Sequence, residues 1–218
     1  MNRGKRLGFT LLLAGAIGLF SIQTYGEEDA TRGRIYGTVK NGTTGEFVAD
    51  LELTLRIFEG NKIIEQQQGF LDEEGKFSFA ELEQGETRRY ALYAVYQGVD
   101  YYSPLFIFDE QHREFSYELI VYEPTDSDQH ISAAMHHVVV GLEEDAIWIK
   151  EVIVLENTDN KVYVGTQEIK DGKKETLRVS LPSGAKELQL GEGLQEYYVL
   201  MTEDGFVDTR TILPEKKN

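Results

Sequence analysis

Leu51-Glu52-Leu53-Thr54-Leu55-Arg56-Ile57 decides the fold. An apolar residue stands at every second position, with a polar or charged one between. An extended chain sends alternate side chains to opposite faces, so Leu51, Leu53, Leu55 and Ile57 line one side and Glu52, Thr54 and Arg56 the other. A helix would scatter the same residues around its circumference. The stripe predicts a strand with one face in a core.

Upstream, Ile35, Gly37 and Val39 alternate with Tyr36, Thr38 and Lys40, a second strand. Asn41-Gly42-Thr43-Thr44-Gly45 follows, rich in residues that accept a positive φ and therefore turn the chain. Downstream, Glu59-Gly60-Asn61-Lys62 closes a hairpin into Ile63-Ile64. Asp72-Glu73-Glu74-Gly75-Lys76 is another turn, leading into Phe77-Ser78-Phe79. Tyr90 to Gln97 sets Leu92, Ala94 and Tyr96 against Ala91, Tyr93 and Val95. Val99 to Phe108 is aromatic and strand-favouring, with Pro104 marking an edge or a bend. Phe115, Tyr117, Leu119 and Val121 share one face of a last strand. These segments make a first domain over 33–122, the size of a sandwich of some seven strands.

Glu123-Pro124-Thr125-Asp126-Ser127-Asp128 has proline, acids and hydroxyls and no large apolar residue, and it reads as a linker. Strand-like runs resume at His136–Val140, Ala146–Leu155, Lys161–Val164, Glu175–Leu181 and Tyr197–Thr202, separated by turns such as Asn157-Thr158-Asp159-Asn160. No segment of the mature chain carries a capped three-to-four-residue period. The expectation is all-β: two consecutive Greek-key β-sandwich domains, over 33–122 and 129–218, behind an N-terminal signal helix. The second is either a short sandwich or one short of its last strands. The halves share no period and are not repeats.

Residues 1–26 read as a signal peptide. Arg3, Lys5 and Arg6 form a basic start, Leu7 to Phe20 an apolar run shorter than a membrane span, and Glu27-Glu28-Asp29 an acidic beginning to the mature chain. An uncleaved anchoring helix is the alternative, because Thr24-Tyr25-Gly26 departs from the usual small-residue cut site. The expected location is exported, periplasmic or extracellular in a cell envelope, with no membrane span in the mature chain.

The 218 residues carry 22 Lys and Arg against 38 Asp and Glu, a net charge of -16. A chain so acidic repels phosphate backbones and anionic membrane surfaces, so nucleic acid is not an expected partner. With no cysteine, disulfides, thiolate chemistry and a lipid-modified cysteine are excluded.

Chemistry is sparse. Four histidines, His112, His130, His136 and His137, offer no ligand spacing, and adjacent ones on a strand point to opposite faces. Calcium would be served by the turn acids Asp72, Glu73, Glu74, Asp126 and Asp128, but neither stretch has the calcium-loop pattern, and solvated acidic turns are the commoner case. No nucleophile elbow or phosphate-binding glycine loop occurs. The expectation is no enzyme, no cofactor and no metal. Tyr93, Tyr96, Tyr101, Tyr102 and Trp148 are the candidate ligand contacts, as an aromatic platform for a sugar ring or peptide. The competing reading places them in the core and at its rim.

The pieces Gly37-Thr38-Val39-Lys40-Asn41-Gly42-Thr43-Thr44, the Leu51–Ile57 strand, Asp72 to Phe79 and Tyr90 to Tyr101 resemble the carboxypeptidase regulatory-like, transthyretin-like family. The resemblance covers roughly Gly33 to Tyr122. It implies a seven-stranded Greek-key sandwich, a module that supports, links or binds, and no active site. Glu151 to Asn157 and Leu181-Pro182-Ser183-Gly184-Ala185 resemble the downstream half of bacterial envelope proteins of this layout. The expected function is a non-catalytic envelope module that binds or scaffolds a protein. The alternatives are a carbohydrate-binding module, of a fold shared with starch-binding-like domains, and an accessory domain of a larger envelope protein.

Overall fold

The structure, a computed structural model, describes residues 32–85, 87–191 and 193–215. The signal peptide expected over 1–26 lies outside the described residues. Every regular element among the described residues is a strand, so the chain is all-β. Among them, no helix is long and apolar enough to cross a membrane.

Seven strands build the sandwich: β1 (Arg32–Asn41), β2 (Glu52–Glu59), β3 (Lys62–Phe70), β4 (Lys76–Glu83), β5 (Arg88–Tyr96), β6 (Val99–Tyr102) and β7 (Glu114–Val121). One sheet runs β4-β1-β7 and the other β3-β2-β5-β6. All pairs are antiparallel except β1 with β7, which is parallel. The alternation in β2 does what it predicts: Leu53, Leu55 and Ile57 are buried, while Thr54 and Arg56 face outward. Register carries the pattern across the sheet, with Leu53 opposite Ala94 and Leu55 opposite Leu92. These side chains meet Ile35, Val39, Phe77, Phe79, Leu119 and Val121 of the other sheet in one core.

The turns are built as their residues dictate. Asn41 accepts the Thr43 N–H on its Oδ1 at 2.8 Å. Asp72 accepts the N–H groups of Glu74 and Lys76 on one carboxylate oxygen, at 2.9 and 2.8 Å, and Gly75 takes φ +71° between them. At Gly37 the backbone of β7 comes so close that a Cβ would stand 1.8 Å from the Tyr117 carbonyl oxygen.

Downstream come β8 (Pro124–Thr125), β9 (Ile131–Leu142), β10 (Ile147–Asn157), β11 (Val162–Tyr163), β12 (Gln167–Lys170), β13 (Lys173–Glu175), β14 (Leu177–Ser180), β15 (Val199–Met201) and β16 (Gly205–Asp208). The strands expected here are present. They form two-stranded pairs, β8 with β11, β9 with β10 and β12 with β13, plus a three-stranded sheet β14-β16-β15. Few of their side chains are buried, and Val162, fully enclosed, belongs to the core of the first sandwich. The segment expected as a linker, 123–128, is likewise tied in. Pro124 and Thr125 pair with Val162 and Tyr163, and the Glu123 N–H donates to the Thr43 hydroxyl at 3.0 Å. That hydroxyl donates in turn to the Asn160 carbonyl at 2.7 Å. Residues 31–218 accordingly make one compact unit.

Buried Asn157 holds this seam. Its amide donates to the Lys161 and Ile212 carbonyls, both at 2.9 Å, and its Oδ1 accepts from the Asp159 N–H at 3.0 Å. Removing it takes a side-chain donor from the Lys161 and Ile212 carbonyls, the latter keeping the Tyr163 N–H, and the acceptor from the Asp159 N–H, so Asn157→Ala is expected to cost about 1–3 kcal/mol in urea unfolding. Gly37→Ala forces β1 away from β7 and is expected to cost more, on the order of 3 kcal/mol or beyond. Equal midpoints for both variants and the unaltered chain would contradict this account.

Candidate functional site

The five aromatic candidates do not converge. The pleat sorts them: in the β5–β6 pair, Tyr93 faces Tyr102 on the outer surface, while Ala94 faces Tyr101 inside. Tyr101 is buried at 4% exposure. Its hydroxyl accepts the Tyr122 N–H and donates to the Tyr122 carbonyl, both at 2.9 Å, stapling the end of the sandwich shut. Burial pushes its phenol up to about 12. Tyr96 packs against the core and accepts from the Asn41 amide at 3.2 Å. These two are structural. Trp148 lies elsewhere, on β10.

Tyr93 and Tyr102 do come together. Their rings are 5.1 Å apart and tilted by 39° on the outer face of β3-β2-β5-β6. The Arg56 guanidinium lies flat on Tyr93, 3.6 Å from the ring centroid, and 5.6 Å from that of Tyr102. The Tyr93 hydroxyl donates to Asp100 at 2.8 Å. Burial first, then this bond to a carboxylate, raises the Tyr93 phenol to about 12. Arg56 is the member that aromatic reasoning missed. Its signal was in the sequence, as the cation on the polar side of the Leu51–Ile57 stripe.

A second surface feature was also missed. β9 and β10 form a ribbon of twelve and eleven residues, roughly 40 Å long at a strand's rise, closed at its tip by Glu143, Glu144 and Asp145. Register places Val138, Val140, Leu142, Ile147 and Ile149 on one face. Met135, Val139, Trp148, Val152 and Val154 take the other, where Trp148 lies across Gly141. Most are about half exposed, and Leu142 reaches 80%. Among the described residues, neither edge of this two-stranded sheet pairs with another strand. The signal was a failure of alternation: Val138-Val139-Val140 and Ile153-Val154-Leu155 are unbroken apolar runs, the mark of strands covered on both sides.

The polar candidates are locally satisfied. His136 contacts Glu151 across the ribbon, and His112 contacts Asp109 at 3.0 Å. Asp72 is occupied as a turn cap. No group of three or more histidine or carboxylate side chains that could hold a metal ion forms among the described residues. A shallow trough of about 650 Å³ lies on the outer face of β4-β1-β7. There Arg34 is already engaged, over the Tyr36 ring at 4.9 Å and donating to Ser78 at 3.1 Å.

No family model matches the chain. No curated protein matches it either. Among solved structures it is similar to the major pilin subunit BcpA of Bacillus cereus, with 14% identity and a TM-score of 0.31 over 41% of this chain and 29% of that one. It is also similar to a DUF3823 family protein from Parabacteroides merdae, with 12% identity and a TM-score of 0.33 over 62% of each chain. The chain thus spans less than two thirds of either neighbour's length, and likenesses this distant carry nothing about ligand or partner.

The staple at Tyr101 has a measurable consequence. Tyr101→Phe leaves the half-buried N–H and carbonyl of Tyr122 without this partner and is expected to cost about 1–3 kcal/mol near neutral pH. The folded-state phenol is raised from 10 to about 12, so its contribution is complete below pH 10 and is lost as pH climbs through 12. Urea midpoints measured across that window should fall less steeply in Tyr101→Phe than in the unaltered chain. Parallel curves would remove the assigned role.

Proposed function

We propose that this chain is a non-catalytic, exported envelope module whose business is to hold a protein partner, and that the β9–β10 ribbon is the element that does so. The observation that carries the reading is the ribbon's apolar character on both faces together with its two unpaired edges. A monomer gains nothing from exposing such a surface, and an isolated two-stranded ribbon is marginal in water. A partner that takes the ribbon between its own layers, or adds a strand to one edge, buries both faces and satisfies the free backbone groups at once. The ribbon's length is adequate for an interface of roughly 800 Å² per partner.

The acid tip bears on the kind of partner. Three carboxylates at the leading end oppose insertion into a bilayer and favour a protein surface with basic groups where the tip comes to rest. The basic start, apolar run and acidic mature N-terminus support an envelope location. The seven-stranded sandwich supports the carboxypeptidase regulatory-like reading of 33–122 as a supporting module from which the ribbon projects.

The test is capture from a solubilised envelope lysate by the mature chain, Glu27 to Asn218, beside a variant carrying Val139→Thr, Trp148→Ser and Val152→Thr. These residues are exposed, so their replacement is expected to shift stability by no more than about 0.5 kcal/mol each. The expected outcome is one protein retained in stoichiometric amount by the unaltered chain and lost from the variant, with Tyr102→Ala retaining it. Equal capture by all three chains, or none by any, refutes the role given to the ribbon.

A further inference from the structure

The two strands of the ribbon differ in charge. β10 carries Lys150, Glu151 and Glu156, whereas β9, Ile131–Leu142, has no Asp, Glu, Lys or Arg and no proline. Sheets guard an open edge with charge or proline, so the β10 edge is guarded and the β9 edge is adhesive. Among the described residues no strand pairs with the free side of β9. Its side chains are open as well: from Ser132 to Leu142 all are exposed except those at Met135 and Gly141, which are half-buried.

What can pair there is limited by the strand itself. Ala134 is the extra residue of a bulge, since Met135 faces Val154 and Ala133 faces Leu155, so the uninterrupted ladder runs from Met135 to Leu142. A parallel copy of the ribbon would bring two acid tips together, each with Glu143, Glu144 and Asp145, in a chain already at -16. An antiparallel copy sends the tips to opposite ends. A two-fold axis perpendicular to such a sheet keeps every side chain on its own face and sets one residue opposite itself. With Val138 on the axis, His137 faces Val139 of the second copy, His136 faces Val140 and Met135 faces Gly141. No charged residue enters this ladder. Gly141 is the position across which Trp148 lies, so the Met135 thioether of the second copy arrives beside an indole that is 45% exposed.

We infer that the ribbon's partner is a second copy of this chain, joined antiparallel through β9 about a two-fold axis at Val138. The inference rests on the reading of the ribbon as the docking element and names its occupant. Joining in this way makes a four-stranded sheet, β10-β9-β9-β10, whose two outer edges are both the charged β10. Growth therefore stops at two copies, as a closed two-fold assembly requires. The pairing gives hydrogen bonds to the open backbone groups of β9 and covers the flanks of Val138, Val139 and Val140. The net charge points to the same place: copies of a chain at -16 repel one another in general, so a contact between them has to fall where charge is absent.

The test is sedimentation equilibrium of the mature chain, Glu27 to Asn218, across micromolar concentrations, with disulfide trapping in single-cysteine variants of a chain that has no cysteine of its own. Facing residues on the axis have Cα atoms about 5 Å apart, within reach of a disulfide. A dimer with no larger species is expected. Under mild oxidation Val138→Cys should cross-link at least tenfold faster than Val152→Cys on β10. Val138→Glu sets two carboxylates face to face and should weaken the dimer at least tenfold, with far-UV circular dichroism retained; the cysteine comparison gives an independent reading should that variant unfold. The inference is overturned by a monomer at every concentration, by growth past two copies, by a dimer indifferent to Val138→Glu in its folded form, or by Val152→Cys cross-linking as fast as Val138→Cys. A monomer that still captures a different protein from the envelope lysate overturns this inference and leaves the ribbon reading standing, whereas neither capture nor self-association removes both.

Discussion

Everything in this molecule rests on the two-residue repeat of an extended strand. Each strand has to choose, residue by residue, which side meets the opposing sheet. In β2 the choice gives Leu53, Leu55 and Ile57 to the core and Thr54 and Arg56 to the outer surface. Because register is shared, β5 and β6 follow: Leu92, Ala94 and Tyr101 turn inward, while Tyr93 and Tyr102 turn outward. A slip by one residue in any of these strands would exchange the two sets, placing a guanidinium in the core. The penalty for that exchange is what fixes the sandwich.

The same rule makes the outer face chemical rather than merely wet. Neighbouring strands bring outward residues as much as thirty-seven positions apart in sequence, as Arg56 and Tyr93 are, to within side-chain reach. Arg56 therefore finds Tyr93, and Tyr93 finds Tyr102 and Asp100. The ring contact orders the Arg56 guanidinium without hydrogen-bonding it, and its Nε is buried there with no hydrogen-bond partner. An ion pair would have done the opposite, as Glu83 does for Arg88.

Much of the sandwich was legible from alternation and turns, because both are local. The Leu51–Ile57 stripe, the Asn41-Gly42 turn, the Asp72–Lys76 turn and the inward row of β7 are each set by a few adjacent residues. The roles of the tyrosines were not legible, since a tyrosine suits core, rim and binding face alike. Tyr101 and Tyr102 are neighbours in sequence and opposites in role, and only the partner strand decides between them. The reading of 123–128 as a linker failed for a related reason. Its polarity is real, but Pro124 and Thr125 gain a pairing strand in Val162 and Tyr163, thirty-eight residues later, which composition does not reveal. Val162 then completes a core that the sequence had divided from it.

The ribbon is where the governing rule is broken, and the break is informative. A strand that needs only one covered face has no reason to carry valine and isoleucine on both, and selection against exposed apolar edges is strong because such edges aggregate. β9 and β10 keep apolar side chains on both faces for most of their length, yet carry charges only at Lys150, Glu151, Glu156 and the tip. At mid-ribbon Glu151 is met by His136 within the ribbon itself. That arrangement leaves apolar side chains about half exposed on both faces and places the densest charge at the tip. The sandwich obeys the pleat and encloses its apolar face against a second sheet; the ribbon departs from it and holds apolar side chains on both of its faces.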